Sequence, residues 1–214
     1  MTPEDLELAV RFAWSKEGIG KIHQEVMLGF LSQLKRHAPN MHEHSLRVGL
    51  YSNQLSSSDK QHQRRLALMG GCLHDMGKCT CRQELLSGRD ITLEEYEEIK
   101  NHAYQGFLLL KNDLPLSAMV AGLHHWRDGN GYGATLDDLP FHVAPATKTM
   151  LIDVVRKVAT ADYFDAVQTR NNKFGLDKNN PENIAAALDK EFILGASTTE
   201  TTGLLYQMKK IISP

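Results

Sequence analysis

The sequence predicts an all-α fold, a single compact helical bundle, and three observations carry that reading. Apolar residues recur every three or four positions along most of the chain, the period of a helix with one buried face. Helix-start signatures precede those stretches at Thr2-Pro3-Glu4-Asp5, Thr92-Leu93-Glu94-Glu95 and Asn180-Pro181-Glu182. No strand-like alternation of useful length, internal repeat or low-complexity tract interrupts them. With 214 residues and 42% hydrophobic content, the chain can bury one proper core.

The first helix opens with a capping hydroxyl at Thr2, a proline at its first position and two acids at the positive end of its dipole. It is expected to run to about Trp14, before Gly18 and Gly20 break the pattern. Ile22, Val26, Met27, Phe30, Leu31 and Leu34 mark a second amphipathic helix, ending between Arg36 and Pro39. Residues 1–39 are too short to fold as a domain, so they read as helices packed on the core or as a dimer surface, and residues 40–214 as the principal domain.

A third helix begins near Asn40 and carries His44, Val48, Tyr51 and Leu55 on one stripe. Leu66, Leu68, Met69 and Cys72 lead the fourth into Leu73-His74-Asp75-Met76-Gly77-Lys78, and residues 79–91 look irregular. One helix is then expected from the Thr92 capping box through Tyr96, Ile99, His102 and Phe107. Pro115 opens a shorter helix with Met119, Val120 and Leu123 that delivers His124-His125. Three glycines at 129, 131 and 133 make a loop of the next stretch. Leu151, Val154, Val155, Val158, Ala159 and Asp162 share another helix, followed by a Lys/Asn-rich loop over 171–180 and a final helix over Leu204 to Ile212.

Charge and cysteine content narrow the function. Twenty-four basic and 26 acidic residues are intermixed, so there is no footprint for duplex nucleic acid, and a nucleotide substrate would be small and held by a few local cations. No apolar run reaches transmembrane length and the N-terminus does not read as a signal peptide. Cys72, Cys79 and Cys81 are odd in number and too clustered for a disulfide framework, which suits a reducing cytoplasm. Cys79 and Cys81 lack the second pair that a metal or redox motif needs and read as ordinary thiols; His23, His37, His42, His62 and His142 read as surface or interface residues, and Trp126 as a packing ring.

The remaining histidines point to a metal centre. His74 offers a neutral nitrogen ligand beside Asp75, whose two oxygens can bridge two cations. His44, His102, His124, His125 and Asp162 are separated from that pair and from one another by gaps of 30, 27, 22 and 37 residues. A helix, its turn and part of the returning helix take up roughly 20–35 residues, so each gap permits one return to a common point. Five imidazoles and two carboxylates would serve two metals: His44, His74, Asp75 and Asp162 on one, Asp75, His102, His124 and His125 on the other, with Asp75 between.

The chain resembles the HD phosphohydrolase superfamily, in its HD-GYP branch of cyclic-dinucleotide phosphodiesterases. The motifs are His44-Ser-Leu-Arg47-Val48, Leu73-His-Asp-Met-Gly-Lys78, Asn101-His102, His124-His125-Trp-Arg-Asp128-Gly-Asn-Gly-Tyr132-Gly133 and Ala161-Asp162-Tyr-Phe-Asp165-Ala166, spanning about residues 40–175. The resemblance implies an HD-type bundle whose catalytic domain is 40–214. It implies hydrolysis of cyclic di-GMP or a related cyclic dinucleotide through a metal-bridging hydroxide, with two divalent transition ions, iron or manganese, as cofactors. It also implies a phosphate-binding role for Lys78 and for Arg170 and Lys173, the latter pair one residue closer than the family spacing. Asp165 would orient the water or a ligand histidine, Tyr132 would meet a base or phosphate, and Asp128 would hold their loop. The resemblance admits a homodimer, and two further readings: another HD-type nucleotide phosphohydrolase, or a cyclic-dinucleotide receptor with little turnover. Two departures stand out. Gly133 replaces the proline of the signature and is expected to loosen the loop. Asn40 stands where three-metal relatives carry glutamate, which favours two metals.

Overall fold

In the computed structural model, Thr2 and Thr92 cap their helices as their sequences require. Thr2 Oγ1 accepts the Asp5 N–H at 3.2 Å while the Asp5 carboxylate accepts the Thr2 N–H at 3.0 Å. Thr92 and Glu95 repeat the reciprocal pair at 3.2 and 3.0 Å. Pro39, Pro115 and Pro145 each open a helix, where the missing N–H has no intrahelical partner to lose. The structure describes residues 2–126, 131–138 and 143–169, with Asn183, Ala186 and Tyr206. The expected loop over 171–180, the helix start at Asn180-Pro181-Glu182 and the helix over Leu204 to Ile212 lie outside the described residues.

Among the described residues there are eight α-helices and no strands: α1 Pro3–Lys16, α2 Lys21–His37, α3 Pro39–Leu55, α4 Gln61–Leu73, α5 Leu93–Lys100, α6 His102–Leu110, α7 Pro115–Leu123 and α8 Pro145–Thr169. Two short 3-10 turns, Met76–Thr80 and Gln83–Leu86, enter the stretch 79–91 that reads as irregular, and residues 87–91 carry no helix. The all-α bundle is as expected. The helix after Thr92 differs from its sequence reading, because it breaks at Asn101 into α5 and α6. The Asn101 N–H turns back to the Glu98 and Ile99 carbonyls, and the His102 ring takes the Ile99 carbonyl at 2.6 Å. A side chain competing for a carbonyl of the last turn ends α5 there. In α2, Met27, Leu31 and Leu34 are buried, but Ile22 at its first turn stands in solvent.

Two apolar clusters form the core, and α4 lies between them. Leu66 and Ala67 join Val48, Leu55, Met119, Val120, Leu151, Val154 and Val158, from α3, α7 and α8. Leu68, Cys72 and Leu73 join Trp14, Met27, Leu31, Leu34, Leu46, Phe107 and Leu110, from α1, α2, α3 and α6. The second half of α4 is therefore buried except at the half-buried Met69, as suits a helix apolar nearly all round. The His74-Asp75 pair leaves its C-terminal end in the middle of the molecule.

The approach of α3 to α4 sets the spacing of the first ligands. Gly49 and Gly71 face each other at the crossing, and a Cβ on Gly71 would lie 2.8 Å from Gly49 Cα and 3.0 Å from the Val48 carbonyl oxygen. That backbone contact brings the His44 and His74 rings to 5.2 Å between centroids. Gly71→Ala is expected to force the helices apart at a cost of about 1–3 kcal/mol. At roughly 2–4 °C per kcal/mol for a domain of this size, a thermal melt reads the loss as several degrees.

Candidate metal centre

The helix ends converge on Asp75. His74 caps α4 and Asp75 follows it; His102 is the first residue of α6; His124 caps α7, with His125 next; His44 lies one turn into α3, and Asp162 lies on α8. Asp75 divides its carboxylate between two groups. Oδ2 lies 3.5 Å from His44 Nε2 and 3.4 Å from His74 Nε2, and Oδ1 lies 3.2 Å from His102 Nε2. Asp162 Oδ1 closes the first group, at 3.0 Å from His44 Nε2 and 3.8 Å from His74 Nε2. His102 and His124 present their Nε2 atoms to each other at 3.3 Å, and the His124 and His125 rings are 4.0 Å apart. All seven residues expected to be ligands are thus brought together. His44, His74 and Asp75 form one cluster able to hold an ion, His102, His124 and His125 a second, and His74, His124 and Asp162 a third that joins them.

The backbone decides which nitrogen of each ring faces inward. Nδ1 of His74, His102 and His124 lies 2.8, 2.6 and 2.7 Å from the carbonyl three residues earlier, at Gly71, Ile99 and Ala121. A carbonyl only accepts, so each Nδ1 donates its proton there and Nε2 is the atom that each ring turns to the interior. His44 follows the same rule with a carboxylate, donating from Nδ1 to Asp165 Oδ2 at 2.7 Å. The result is a dry set of lone pairs facing one another. Nε2 of His44 and of His74 is buried with no hydrogen-bond partner. Two acceptors at 3.3 Å, as at His102 and His124, repel unless a cation lies between them. The donor set therefore fits divalent transition ions, bound by imidazole nitrogen and carboxylate oxygen.

A second tier holds this arrangement. Arg47 donates to Asp165 from Nε at 2.6 Å and from Nη2 at 3.1 Å, so its fork fixes the carboxylate that orients His44. Burial alone would raise the Asp165 carboxyl, but His44 and Arg47 outweigh it and hold the group below its ordinary range. Burial opposes charge on His44, yet the Asp162 and Asp165 carboxylates raise its pKa. Burial likewise opposes charge on Asp75 and Asp162, but Lys78 and His74 on the one, and His44 and His74 on the other, keep both well below the usual carboxylate values. Lys78 is buried and donates to Asp75 Oδ2 at 2.5 Å, so its ammonium lies inside the cluster. A Cβ on Gly77 would overlap the His102 carbonyl, which explains a glycine between Asp75 and Lys78. Sequence reasoning gave Arg47 no role, though an arginine one turn after His44 was the available signal.

Tyr132 stacks on His125 with centroids 4.3 Å apart and lies 6.1 Å from the His102 ring. Asp128, Arg170 and Lys173 lie outside the described residues. The expectation that Gly133 loosens the loop meets a different geometry. Gly133 has φ +104, which no proline ring can adopt, and a Cβ there would lie 2.5 Å from the Gly122 carbonyl and 2.8 Å from Ala103 Cβ. The Ala134 N–H donates to that same Gly122 carbonyl at 2.9 Å. Glycine pins the loop against α6 and α7 by letting it approach them. Asn40 is exposed in the first turn of α3.

Of the remaining histidines, His23 and His62 are exposed, and His37 is partly exposed with Nε2 on the Cys81 carbonyl at 2.9 Å. His142 lies outside the described residues. His42 corrects its surface assignment, because it is 5% exposed and burial lowers its pKa. It lies four residues before Leu46 on the α3 face that meets α1, a phase that the polar residue type concealed. Cys79 and Cys81 are free, burial pushes Cys79 up to about 11, and no ion-binding cluster among the described residues includes either. Trp126 packs against the core as expected. No helix among the described residues is long and apolar enough to cross a membrane.

The family model for the HD domain matches residues 41–167, from the start of α3 almost to the end of α8, and includes all seven converging residues. The fold is similar to that of the HD domain of the phosphodiesterase PgpH from L. monocytogenes, at 14% identity and a TM-score of 0.60, over 86% of this chain and 96% of that one. No curated protein matches the chain.

Two predictions follow from the geometry. Gly133→Ala and Gly133→Pro are both expected to destabilise the protein, by about 1–3 kcal/mol, because each forbids the backbone that carries Tyr132; a lowered melting temperature in both variants checks this. The second concerns acid. Burial and the neighbouring His74 and His102 rings lower His124 to about 3, and burial and His124 hold His125 well below its ordinary value. These rings stay neutral when folded and take up protons on unfolding below about pH 6.5. Metal-free protein is therefore expected to lose stability as pH falls from about 6.5 toward 3, with the raised His44 opposing two rings. Melts of chelator-treated protein across that range check it; a melting temperature that rises toward acid contradicts it.

Proposed function

The chain belongs to the HD domain family and is a metal-dependent phosphohydrolase, and from that premise we propose that it hydrolyses a cyclic dinucleotide, cyclic di-GMP or a close relative, as a member of the HD-GYP branch. The observation that carries the proposal is the divided Asp75 carboxylate, one oxygen toward His44 and His74 and the other toward His102. Such a carboxylate suits a pair of divalent ions, iron or manganese, and the ordered motif set around it resembles that of cyclic-dinucleotide phosphodiesterases. The proposed setting is a reducing cytoplasm, with residues 1–39 as helices added to a catalytic domain over 40–214.

When bound, the ions supply an acidified water and positive charge against the phosphoryl oxygens. The chain's own groups do the rest. His44, His74, Asp75 and Asp162 would hold one ion, and Asp75, His102, His124 and His125 the other. The Nδ1 bonds and the Arg47–Asp165 fork keep the rings from turning. Hydrolysis joins the water oxygen to phosphorus and breaks the bond to the ribose 3′ oxygen, which leaves with a proton. Lys78 lies beside the reacting centre to offset charge on the phosphoryl group. Tyr132, braced on His125, meets a base or phosphate of the substrate. Asp128 supports its loop, and Arg170 and Lys173 bind the second phosphate or guanine.

Metal-loaded protein given a panel of cyclic dinucleotides is expected to release linear or mononucleotide product from at least one, and Asp75→Asn to abolish that turnover. No product from any member would contradict the proposal. Tight binding without turnover would make the protein a receptor, and turnover of mononucleotides alone would place it among the other HD-type phosphohydrolases.

A further inference from the structure

Beside the metal centre lies a cation that the proposed chemistry does not use. Lys100 is the last residue of α5 and the sole cation of Leu93–Lys100, which otherwise carries four glutamates. Its Nζ lies 5.1 Å from the Tyr96 ring centroid, one turn back on the same helix face, and 5.9 Å from the Tyr132 ring centroid. The Tyr132 ring is in turn stacked on His125 at 4.3 Å, so one aromatic ring bridges the ammonium and the edge of the metal centre. We propose that Lys100, framed by Tyr96 and Tyr132, binds the phosphate of the nucleotide substrate that is not being cleaved, which leaves Arg170 and Lys173 to the guanine. The inference rests on the cyclic-dinucleotide reading and assigns it a contact.

Three features support the assignment. First, α5 has no buried residue, Leu93 at its start is 80% exposed and the Lys100 side chain is 29% exposed, so solvent reaches this cation. Second, the carboxylate partner of Lys100 among the described residues is Glu97, at 2.6 Å and 66% exposed. An ion pair with so exposed a partner is weak, and a phosphate bringing more charge and more acceptor oxygens displaces it. Third, a cyclic dinucleotide carries two phosphates. The one at the metal centre meets His- and Asp-bound ions and Lys78, and the other needs a cation set back from that cluster, with aromatic faces for the flanking base. Lys100 stands there beside two tyrosine rings, on the helix that ends two residues before His102.

The test is the affinity of metal-loaded protein for a panel of hydrolysis-resistant phosphorothioate cyclic dinucleotides. Lys100→Met is expected to weaken binding about tenfold or more, with bound metal per chain unchanged, and Lys100→Arg to restore most of it. Glu97→Gln, at an exposed position, is expected to tighten binding by freeing the lysine, and it decides the matter should Lys100→Met fail to fold. Equal affinity in wild type, Lys100→Met and Glu97→Gln overturns the contact while leaving the substrate reading intact. A wild type that binds no member of the panel overturns the substrate reading and this contact with it.

Discussion

Buried imidazole lone pairs cannot be left facing one another, and the rest of this structure follows from how it produces and then answers that condition. Four rings have their Nδ1 proton committed to a fixed acceptor, three to backbone carbonyls and one to Asp165. Four Nε2 atoms are thereby aimed into a space almost closed to water, where an unpaired polar atom costs several kcal/mol, on the order of 2–7. Two carboxylates enter the same space and stay ionised. A set of donors and anions so oriented fits divalent metal ions, and the proposed hydrolytic chemistry rests on their charge.

The fold delivers this by placing the ligands at helix ends. His74, His102 and His124 each sit at or next to a helix terminus, where the carbonyl three residues back is available to a side chain. Side chains at helix ends point along the axis as well as away from it, so helices of different direction can meet at a point. α4 makes the meeting point central, because its apolar second half is enclosed by both core clusters. The Gly49–Gly71 contact brings α3 against it, and Gly77 lets the chain turn under the His102 carbonyl. Arg47 and Asp165 then hold the one ring, His44, that lies within a helix and has no free carbonyl to use.

Much of this was legible in the sequence, and what was not has physical reasons. The seven converging residues could be read because metal binding restricts residue type and one helix return restricts spacing. Helix caps at Thr2 and Thr92 could be read because capping is local. The break at Asn101 could not, since it depends on the His102 ring competing for a carbonyl, a side-chain choice that periodicity does not record. The burial of His42 was hidden because a polar residue on a mixed face looks exposed. The Gly133 substitution pointed toward a loose loop, and its true meaning, a backbone forced to positive φ by close contact with Gly122, needed three dimensions. Tyr96 was legible only as part of a helix and Lys100 not at all, because nothing in their spacing links them to Tyr132, which arrives from a distant loop.

The central claim is that one aspartate joins two cations among these rings. Elemental analysis of protein purified without air tests it most directly. The account predicts about two iron or manganese ions per chain, both lost on Asp75→Asn. One ion per chain, none, or two that survive that substitution would contradict it.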